Sequence, residues 1–129
     1  MQINYWAVLI AAIINMGLGA LWYSSALFAK PWMKATGKKE MNSAGIGYAL
    51  TTLGSLVMAL LLAYFITQVD AGTFAAGAKI GLLIWVGFVI PTYTANYVFE
   101  RRPLQLFLIN VGYFLVSLML MGGVIAIWR

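Results

Sequence analysis

Residues 44–67, AGIGYALTTLGSLVMALLLAYFIT, form an apolar run that carries no charged side chain. A helix needs about 20 predominantly apolar residues to cross the hydrocarbon core of a bilayer. Three further runs meet the same requirement, over residues 3–27, 74–98 and 104–128. The sequence therefore predicts an all-α integral membrane bundle of four transmembrane helices, in a single domain that spans residues 1–129.

The overall composition supports the same environment. Of 129 residues, 64% are hydrophobic and 9% are charged, and the mean hydropathy is +0.93. A soluble domain carries about 25% charged residues, and a chain this short cannot bury so much apolar surface in one core. We therefore expect the lipid bilayer to be the solvent of this chain.

The basic residues are concentrated in the first and third breaks between the runs. These breaks contain Lys30, Lys34, Lys38, Lys39, Arg101 and Arg102. The opposite side contains Lys79 and Arg129. Because lysine and arginine accumulate on the cytoplasmic side of membrane proteins, we expect the basic breaks to face the cytoplasm and both termini to lie outside. This pattern explains the net charge of +5 without nucleic acid as a partner.

Several chemistries are excluded by the residue types. The chain contains no cysteine and no histidine, and its acids Glu40, Asp70 and Glu100 all fall between the apolar runs. Thiolate nucleophiles, histidine-based triads and zinc or haem sites built on these residues are therefore impossible. We expect no metal site and no cofactor, and an enzyme is the least favoured class. A proton-coupled transporter would also need an ionisable group deep in the membrane.

Small residues recur at the spacing of helix-packing motifs. In membranes, such residues let helices approach closely. Gly19 belongs to such a stripe in the first run, and Gly77 and Gly81 form a Gly-x-x-x-Gly pair in the third. The second run carries Gly47, Thr51, Ser55, Ala59 and Ala63 at strict four-residue spacing. Two interpretations remain open, namely packing within one bundle and contact between copies in an oligomer.

Polar side chains occur at membrane depth in three of the runs. Asn15 lies in the middle of the first run, Asn96 near the cytoplasmic end of the third, and Asn110 about two turns into the fourth, with Tyr113 one turn beyond it. Such groups are costly to leave unpaired. They predict either hydrogen bonds between helices or a polar pocket in the bundle.

Pro91 interrupts the third run, two residues before Tyr93. A proline inside a helix removes a backbone hydrogen bond and kinks the helix. The kink is either an ordinary feature of a membrane helix, or a hinge or the lining of a cavity that faces the cytoplasm.

The stretch from Gly19 to Met33 combines large aromatic side chains with lysines. Tryptophan and tyrosine favour the headgroup level of a bilayer, and lysine extends from there toward the lipid phosphates. This aromatic-belt pattern predicts membrane-interface anchors at Lys30, Trp32, Lys34, Arg101 and Arg102. Trp22, Tyr23 and Ser24 lie deeper, about two turns inside Lys30. They are therefore also candidates for a pocket, together with Asn15, Pro91, Tyr93, Asn96, Asn110 and Tyr113.

Two motifs resemble those of a known family. They are Gly19-x-x-Trp22-Tyr23-Ser24 followed by Phe28-x-Lys30-x-Trp32-Met33, and the tail that runs from Phe99-Glu-Arg-Arg-Pro103 through Tyr113 to Arg129. They are similar to a family of small bacterial four-helix membrane proteins catalogued as a domain of unknown function. The resemblance implies a multi-pass protein of the bacterial cytoplasmic (inner) membrane and brings no activity with it. This chain has Ser25 where the family usually has proline and Ala29 where it has glycine.

The sequence leaves two functional classes open. The first is a small membrane binding or accessory protein, which packs as an oligomer or with a larger complex and holds a lipid or a lipophilic small molecule. The second is a homo-oligomeric transporter or channel lined by Asn, Tyr and Thr side chains, which is not proton-coupled through a deep carboxylate.

Overall fold

The computed structural model describes residues 3–37 and 45–128. Within these ranges the secondary structure is entirely helical. The helices are α1 (Tyr5–Trp22), α2 (Ala29–Thr36), α3 (Gly45–Gln68), α4 (Phe74–Ile84), α5 (Ile90–Phe99) and α6 (Leu104–Ile127), with a π-helical segment, Trp85–Val89, between α4 and α5. The predicted basic residues Lys38, Lys39 and Arg129, and the acid Glu40, lie outside the described residues.

Within the described part of the chain, four helical spans are long and apolar enough to cross a membrane, as the sequence predicts. They are Tyr5–Trp22, Gly45–Gln68, Phe74–Phe99 and Leu104–Ile127. Large apolar side chains are exposed along them, for example Phe88 at 73% and Leu53 at 58%. Soluble monomers rarely expose extended apolar surfaces. The exterior of the bundle is therefore suited to hydrocarbon, and the protein is membrane-embedded.

The first span is shorter than predicted, because α1 ends at Trp22 and not at residue 27. The chain then turns, and the amide of Phe28 donates back to the carbonyl of Trp22 at 3.0 Å. After this turn α2 begins at Ala29 and packs against α6. Pro31 lies in the first turn of α2, where a missing amide hydrogen removes no helical bond. The exposed Lys30 and buried Ala29 give this short helix two different faces.

Helix α6 lies at the centre of the bundle and packs against α1, α3 and α4. Half of the residues in its most apolar stretch are buried, against 28%, 28% and 17% in the other three spans. The side chain of Asn4 donates to the carbonyl of Trp128 at 2.6 Å. The start of α1 and the end of α6 therefore lie at the same end of the bundle, as an even number of spans requires.

The predicted Gly-x-x-x-Gly pair lies in the contact between α4 and α6. A Cβ atom added at Gly77 would clash with the carbonyl oxygen of Gly122, and one at Gly81 would clash with that of Leu118. The two backbones are thus close enough to exclude any larger side chain. These glycines pack within the bundle.

The predicted small-residue stripe of α3 is only partly buried. Ser55, Ala59 and Ala63 are buried, and α3 packs against α1. Gly47 is half-buried, and Thr51 is exposed, with its hydroxyl bonded to the Gly47 carbonyl at 2.8 Å. Packing within the bundle therefore accounts for the C-terminal part of this stripe, from Ser55 to Ala63.

The third span is irregular where the sequence predicts a kink. The π-helical turn Trp85–Val89 comes directly before Pro91, and the amide of Ile90 bonds the carbonyl of Trp85. Helices commonly bend at π turns and at prolines. The hydroxyl of Thr92 donates to the carbonyl of Phe88 at 2.5 Å, and that of Thr94 to Ile90 at 2.6 Å. Threonine hydroxyls thus supply donors close to the missing proline amide.

Candidate functional site

A buried polar network surrounds Asn15, which is 4% exposed. Its Nδ2 donates to Oγ of Ser55 at 2.6 Å. Its Oδ1 accepts from Oγ of Ser117 at 2.5 Å and lies 2.8 Å from the hydroxyl of Tyr113. One side chain therefore connects α1, α3 and α6. Interhelical hydrogen bonds of this kind are each worth about 0.6 kcal/mol on average in membranes, so the network stabilises the bundle.

The hydroxyl of Tyr113 reaches Asn15 because Gly19 leaves room for it. This hydroxyl also lies 2.7 Å from the backbone carbonyl of Asn15. A Cβ atom at Gly19 would lie only 3.2 Å from the Tyr113 hydroxyl oxygen. Gly19 therefore lies in the contact between α1 and α6.

The end of α1 is bound to the second turn of α6 by two aromatic side chains. The indole Nε1 of Trp22 donates to the carbonyl of Ile109 at 3.0 Å, and the hydroxyl of Tyr23 donates to Oδ1 of Asn110 at 2.7 Å. Ser24 instead bonds locally, to the carbonyl of Leu21 at 2.6 Å. Trp22 and Tyr23 are thus partly buried against α6, whereas Ser24 stabilises the turn after α1.

A cleft of about 250 Å³ lies between α2, α5 and the first turns of α6. We call it the aromatic cleft. Trp32 and Thr36 form its α2 wall, and Leu106, Phe107 and Asn110 line it from α6. Its third wall, on α5, consists of Tyr93, Asn96 and Tyr97. The cleft therefore combines flat apolar rings with two side-chain amides.

Two opposite charges border the aromatic cleft in the turn between α5 and α6. Glu100 and Arg102 line it, and Nε of Arg102 lies 3.5 Å from Oε2 of Glu100. Both side chains are about half exposed, at 49% and 54%. An exposed pair of this kind contributes only about 0–1 kcal/mol, so either charge can exchange its partner at little cost.

Asn110 offers a hydrogen-bond donor to the aromatic cleft. The hydroxyl of Tyr23 donates to its Oδ1. This bond fixes the orientation of the amide and leaves Nδ2 available as a donor. Among residues 3–37 and 45–128, Nδ2 of Asn110 has no protein acceptor in hydrogen-bond contact. The ring of Tyr23 lies edge-on to that of Trp32 at 6.3 Å between centroids. The lining of the cleft therefore includes an ordered amide beside packed aromatic rings.

A second cavity, of about 440 Å³, lies between α3 and the irregular part of the third span. We call it the apolar groove. Met58, Leu61 and Phe65 line it from α3, Ile84 and Phe88 from the third span, and Phe114 and Leu118 from α6. Tyr93 lines both this groove and the aromatic cleft. Its ring packs against Phe114 at 5.8 Å between centroids.

The predicted pocket residues do not form one site. Asn15 and Tyr113 belong to the buried network, whereas Tyr93, Asn96 and Asn110 line the aromatic cleft. Pro91 is exposed on the outer surface of α5. Of the predicted anchors, Lys30, Lys34, Arg101 and Arg102 are exposed, and Trp32 is half-buried in the cleft wall.

Some residues of these sites are absent from the predicted set. Tyr97 and Phe107 face each other in the cleft at 5.5 Å between centroids, and their spacing from Tyr93 and Asn110 already indicated a shared helix face. The indole of Trp85 donates to the carbonyl of Val111 at 2.7 Å. The sequence feature that could have indicated Trp85 is its position in the middle of a span, since tryptophan usually lies at the interfaces.

The four apolar spans and the buried polar network define an α-helical integral membrane protein. A family model described as "Protein of unknown function (DUF1761)" matches residues 6–126. The chain therefore belongs to this family, in agreement with the resemblance of its motifs. No curated protein matches the chain, and no solved structure does.

Proposed function

We propose that this chain is a small integral membrane binding protein that holds a lipid or lipophilic small molecule in the aromatic cleft. The observation that carries the proposal is Asn110 in the lining of the cleft, with its Oδ1 held by Tyr23 and its Nδ2 bonded to no described residue. Binding sites commonly combine apolar walls with a few well-placed polar groups.

The walls of the cleft support an amphipathic ligand. The rings of Trp32, Tyr97 and Phe107 offer flat apolar surfaces, and the tryptophan and tyrosine rings also carry polar atoms. Aromatic residues of this kind are typical of sites where one end of a ligand is apolar and the other is wet. Asn96 is exposed at the same cleft and adds a second amide.

The buried network argues against the alternative of a transporter lined by Asn and Tyr. Both ends of the Asn15 amide are bonded to neighbouring helices, and Ser117 and Ser55 are completely enclosed with it. A substrate would have to break these bonds to pass. Asn15 therefore supports a structural role, and the cleft remains the better candidate for binding.

The proposal includes a location and an orientation. Lys30, Lys34, Arg101 and Arg102 lie in the breaks that border the cleft, and an excess of basic residues favours the cytoplasmic side. We therefore assign the cleft to the cytoplasmic face of the bacterial inner membrane, with both termini outside. Contact with a second copy or a larger complex is part of the same proposal, through the exposed surface of α3 around Thr51 and Gly54.

Native mass spectrometry of the protein released gently from its own membranes tests the binding function. We expect the wild type to retain a small-molecule or lipid adduct. Asn110→Leu should reduce its occupancy about tenfold, since one hydrogen bond lost in a buried site is worth about 1–1.5 kcal/mol. Gln105→Leu is the matched control, because Gln105 is an exposed amide on the same helix outside the cleft.

Two results would contradict the proposal. One is a wild-type protein without any adduct, and the other is equal occupancy in Asn110→Leu and the wild type. A bound protein chain in place of the small molecule would instead make this an accessory subunit. Asn96→Leu serves as a second cleft variant, since Asn96 is exposed and its replacement leaves the core intact.

A further inference from the structure

We propose that the aromatic cleft and the apolar groove together form one lipid site, which binds a phosphate-bearing lipid. The headgroup occupies the cleft, and one acyl chain lies in the groove. This inference rests on the proposed binding function of the cleft and names the class of its ligand.

The two cavities follow one another along the contact between α6 and the third span. On α6, Phe107 and Asn110 line the cleft, and Phe114 and Leu118 line the groove. These positions are three or four residues apart, so they lie on one side of the helix. Tyr93 borders both cavities from α5 and packs against Phe114. The two cavities therefore meet at this aromatic pair, and the proposed lipid extends across it.

The lining of this path changes from polar to apolar, as a lipid does from its headgroup to its acyl chains. The cleft end carries the amides of Asn96 and Asn110 and the charges of Glu100 and Arg102, whereas the α3 wall of the groove consists of Met58, Leu61, Leu62 and Phe65. Thr92 also lines the groove, but its hydroxyl is bonded to the carbonyl of Phe88 at 2.5 Å. Even this polar group thus has its donor satisfied inside the helix.

The length and exposure of the groove favour an acyl chain over other apolar occupants. From Ile84 to Tyr93 the helix rises by about 13 Å at 1.5 Å per residue, which is close to one leaflet of a hydrocarbon core about 30 Å thick. Leu61 and Phe88, on opposite walls, are 51% and 73% exposed. The groove is therefore open to the bilayer, and a chain can enter from the side.

The charges at the cleft end favour an anionic headgroup. Lys30, Lys34, Arg101 and Arg102 are exposed there, and Glu100 is the one acid among the described residues of this end, since Asp70 lies in the turn at the opposite end. The guanidinium of Arg102 can form paired hydrogen bonds with phosphate oxygens. Its contact with Glu100 is long and half exposed, so a phosphate can replace the carboxylate. Asn110, which also lines the cleft, then provides a further donor through Nδ2.

Three probes separate the contributions of headgroup and chain: phosphatidic acid, diacylglycerol with the same chains, and glycerol 3-phosphate. Their affinities for the purified protein can be measured by titration under native mass spectrometry. We expect phosphatidic acid to bind at least tenfold more tightly than either of the other two. Equal binding of phosphatidic acid and diacylglycerol would overturn the role of the phosphate. Equal binding of glycerol 3-phosphate and phosphatidic acid would show a phosphate site without a chain site, and would overturn the lipid.

A pair of variants tests the groove. Leu61→Trp places a large ring in the groove, whereas Leu60→Trp places the same ring on the neighbouring exposed position, which does not line it. We expect Leu61→Trp to weaken phosphatidic acid binding at least fivefold and Leu60→Trp to leave it unchanged. If both variants bind like the wild type while Asn110→Leu binds weakly, the chain lies elsewhere and the cleft function stands. If Asn110→Leu binds like the wild type, the cleft function itself is wrong.

Discussion

The hydroxyl of Tyr23 donates a hydrogen bond of 2.7 Å to Oδ1 of Asn110, which lies 87 residues further along the chain. This bond joins the turn after α1 to the middle of the cleft wall on α6. The Tyr23 ring also packs edge-on against Tyr113 at 5.7 Å between centroids, and Tyr113 bonds Asn15. Asn110 in the lining of the aromatic cleft is therefore held by the same contacts that stabilise the bundle.

Tyr23→Phe tests whether this bond orients the Asn110 amide for a ligand. The phenylalanine ring keeps the contacts with Trp32 and Tyr113, but the amide loses its fixed partner. We expect ligand retention in native mass spectrometry to fall about fivefold, which corresponds to about 1 kcal/mol for one hydrogen bond. Tyr64→Phe, at an exposed tyrosine of α3, is the control. Unchanged retention in both variants would show that Asn110 needs no orientation by Tyr23.

Asn15→Leu tests the structural role of the buried network. The replacement is similar in size but removes the partner of Ser55, Ser117 and Tyr113. We expect the free energy of unfolding in a detergent titration to fall by about 2 kcal/mol, from three hydrogen bonds of about 0.6 kcal/mol each. Asn96→Leu removes an exposed amide and should leave the unfolding midpoint unchanged. A stable Asn15→Leu protein that has lost ligand binding would instead place the ligand at Asn15.

Gly77→Ala tests the close approach of α4 and α6. The added methyl group has no space beside the carbonyl of Gly122, and overpacking of this kind costs about 1–3 kcal/mol. We expect a lower thermal stability without any change in oligomeric mass. In Gly17→Ala, at an exposed position of α1, the new methyl group meets no atom within 4 Å, so this variant should be as stable as the wild type or slightly more stable. A changed oligomeric mass in Gly77→Ala alone would assign the pair to contacts between copies.

Single cysteines test the orientation, because the chain has no cysteine of its own. Lys34→Cys lies on α2, and Gly72→Cys lies in the turn between α3 and α4. The positive-inside rule predicts that an impermeant maleimide labels Gly72→Cys in intact cells, and Lys34→Cys only after the membrane is opened. The reverse pattern would place the aromatic cleft on the outer side.

The sequence predicts the four spans well because hydrophobicity over about 20 residues is an average property. The end of α1 at Trp22 depends instead on a turn, and residues such as Ala26 and Leu27 suit a helix equally well. The sequence also does not predict that Asn110 and Tyr113 belong to different sites. Residues three apart on a helix point in directions about 60° apart. The packing of α2 and α5 determines that this angle places Asn110 in the cleft and Tyr113 in the buried network.

The grouping of cleft residues depends on α2, which hydrophobic patterns do not reveal. Because α2 packs against α6, Trp32 becomes a cleft wall, whereas its sequence context resembles an interfacial anchor. The π turn before Pro91 similarly lies beside α3, and its residues Phe88 and Val89 line the apolar groove. The grouping of these residues with α3 depends on contacts between segments that are distant in sequence.

The most direct test of binding in the cleft is photo-crosslinking in native membranes. Phe107→p-benzoylphenylalanine places the reactive group in the cleft wall, and Leu104→p-benzoylphenylalanine places it on an exposed position of the same helix. We predict that irradiation attaches one selected lipid or lipophilic compound at position 107, and a mixture that follows the bulk lipid composition at position 104. The same bulk mixture at both positions, or a protein chain attached at position 107, would contradict the proposed function.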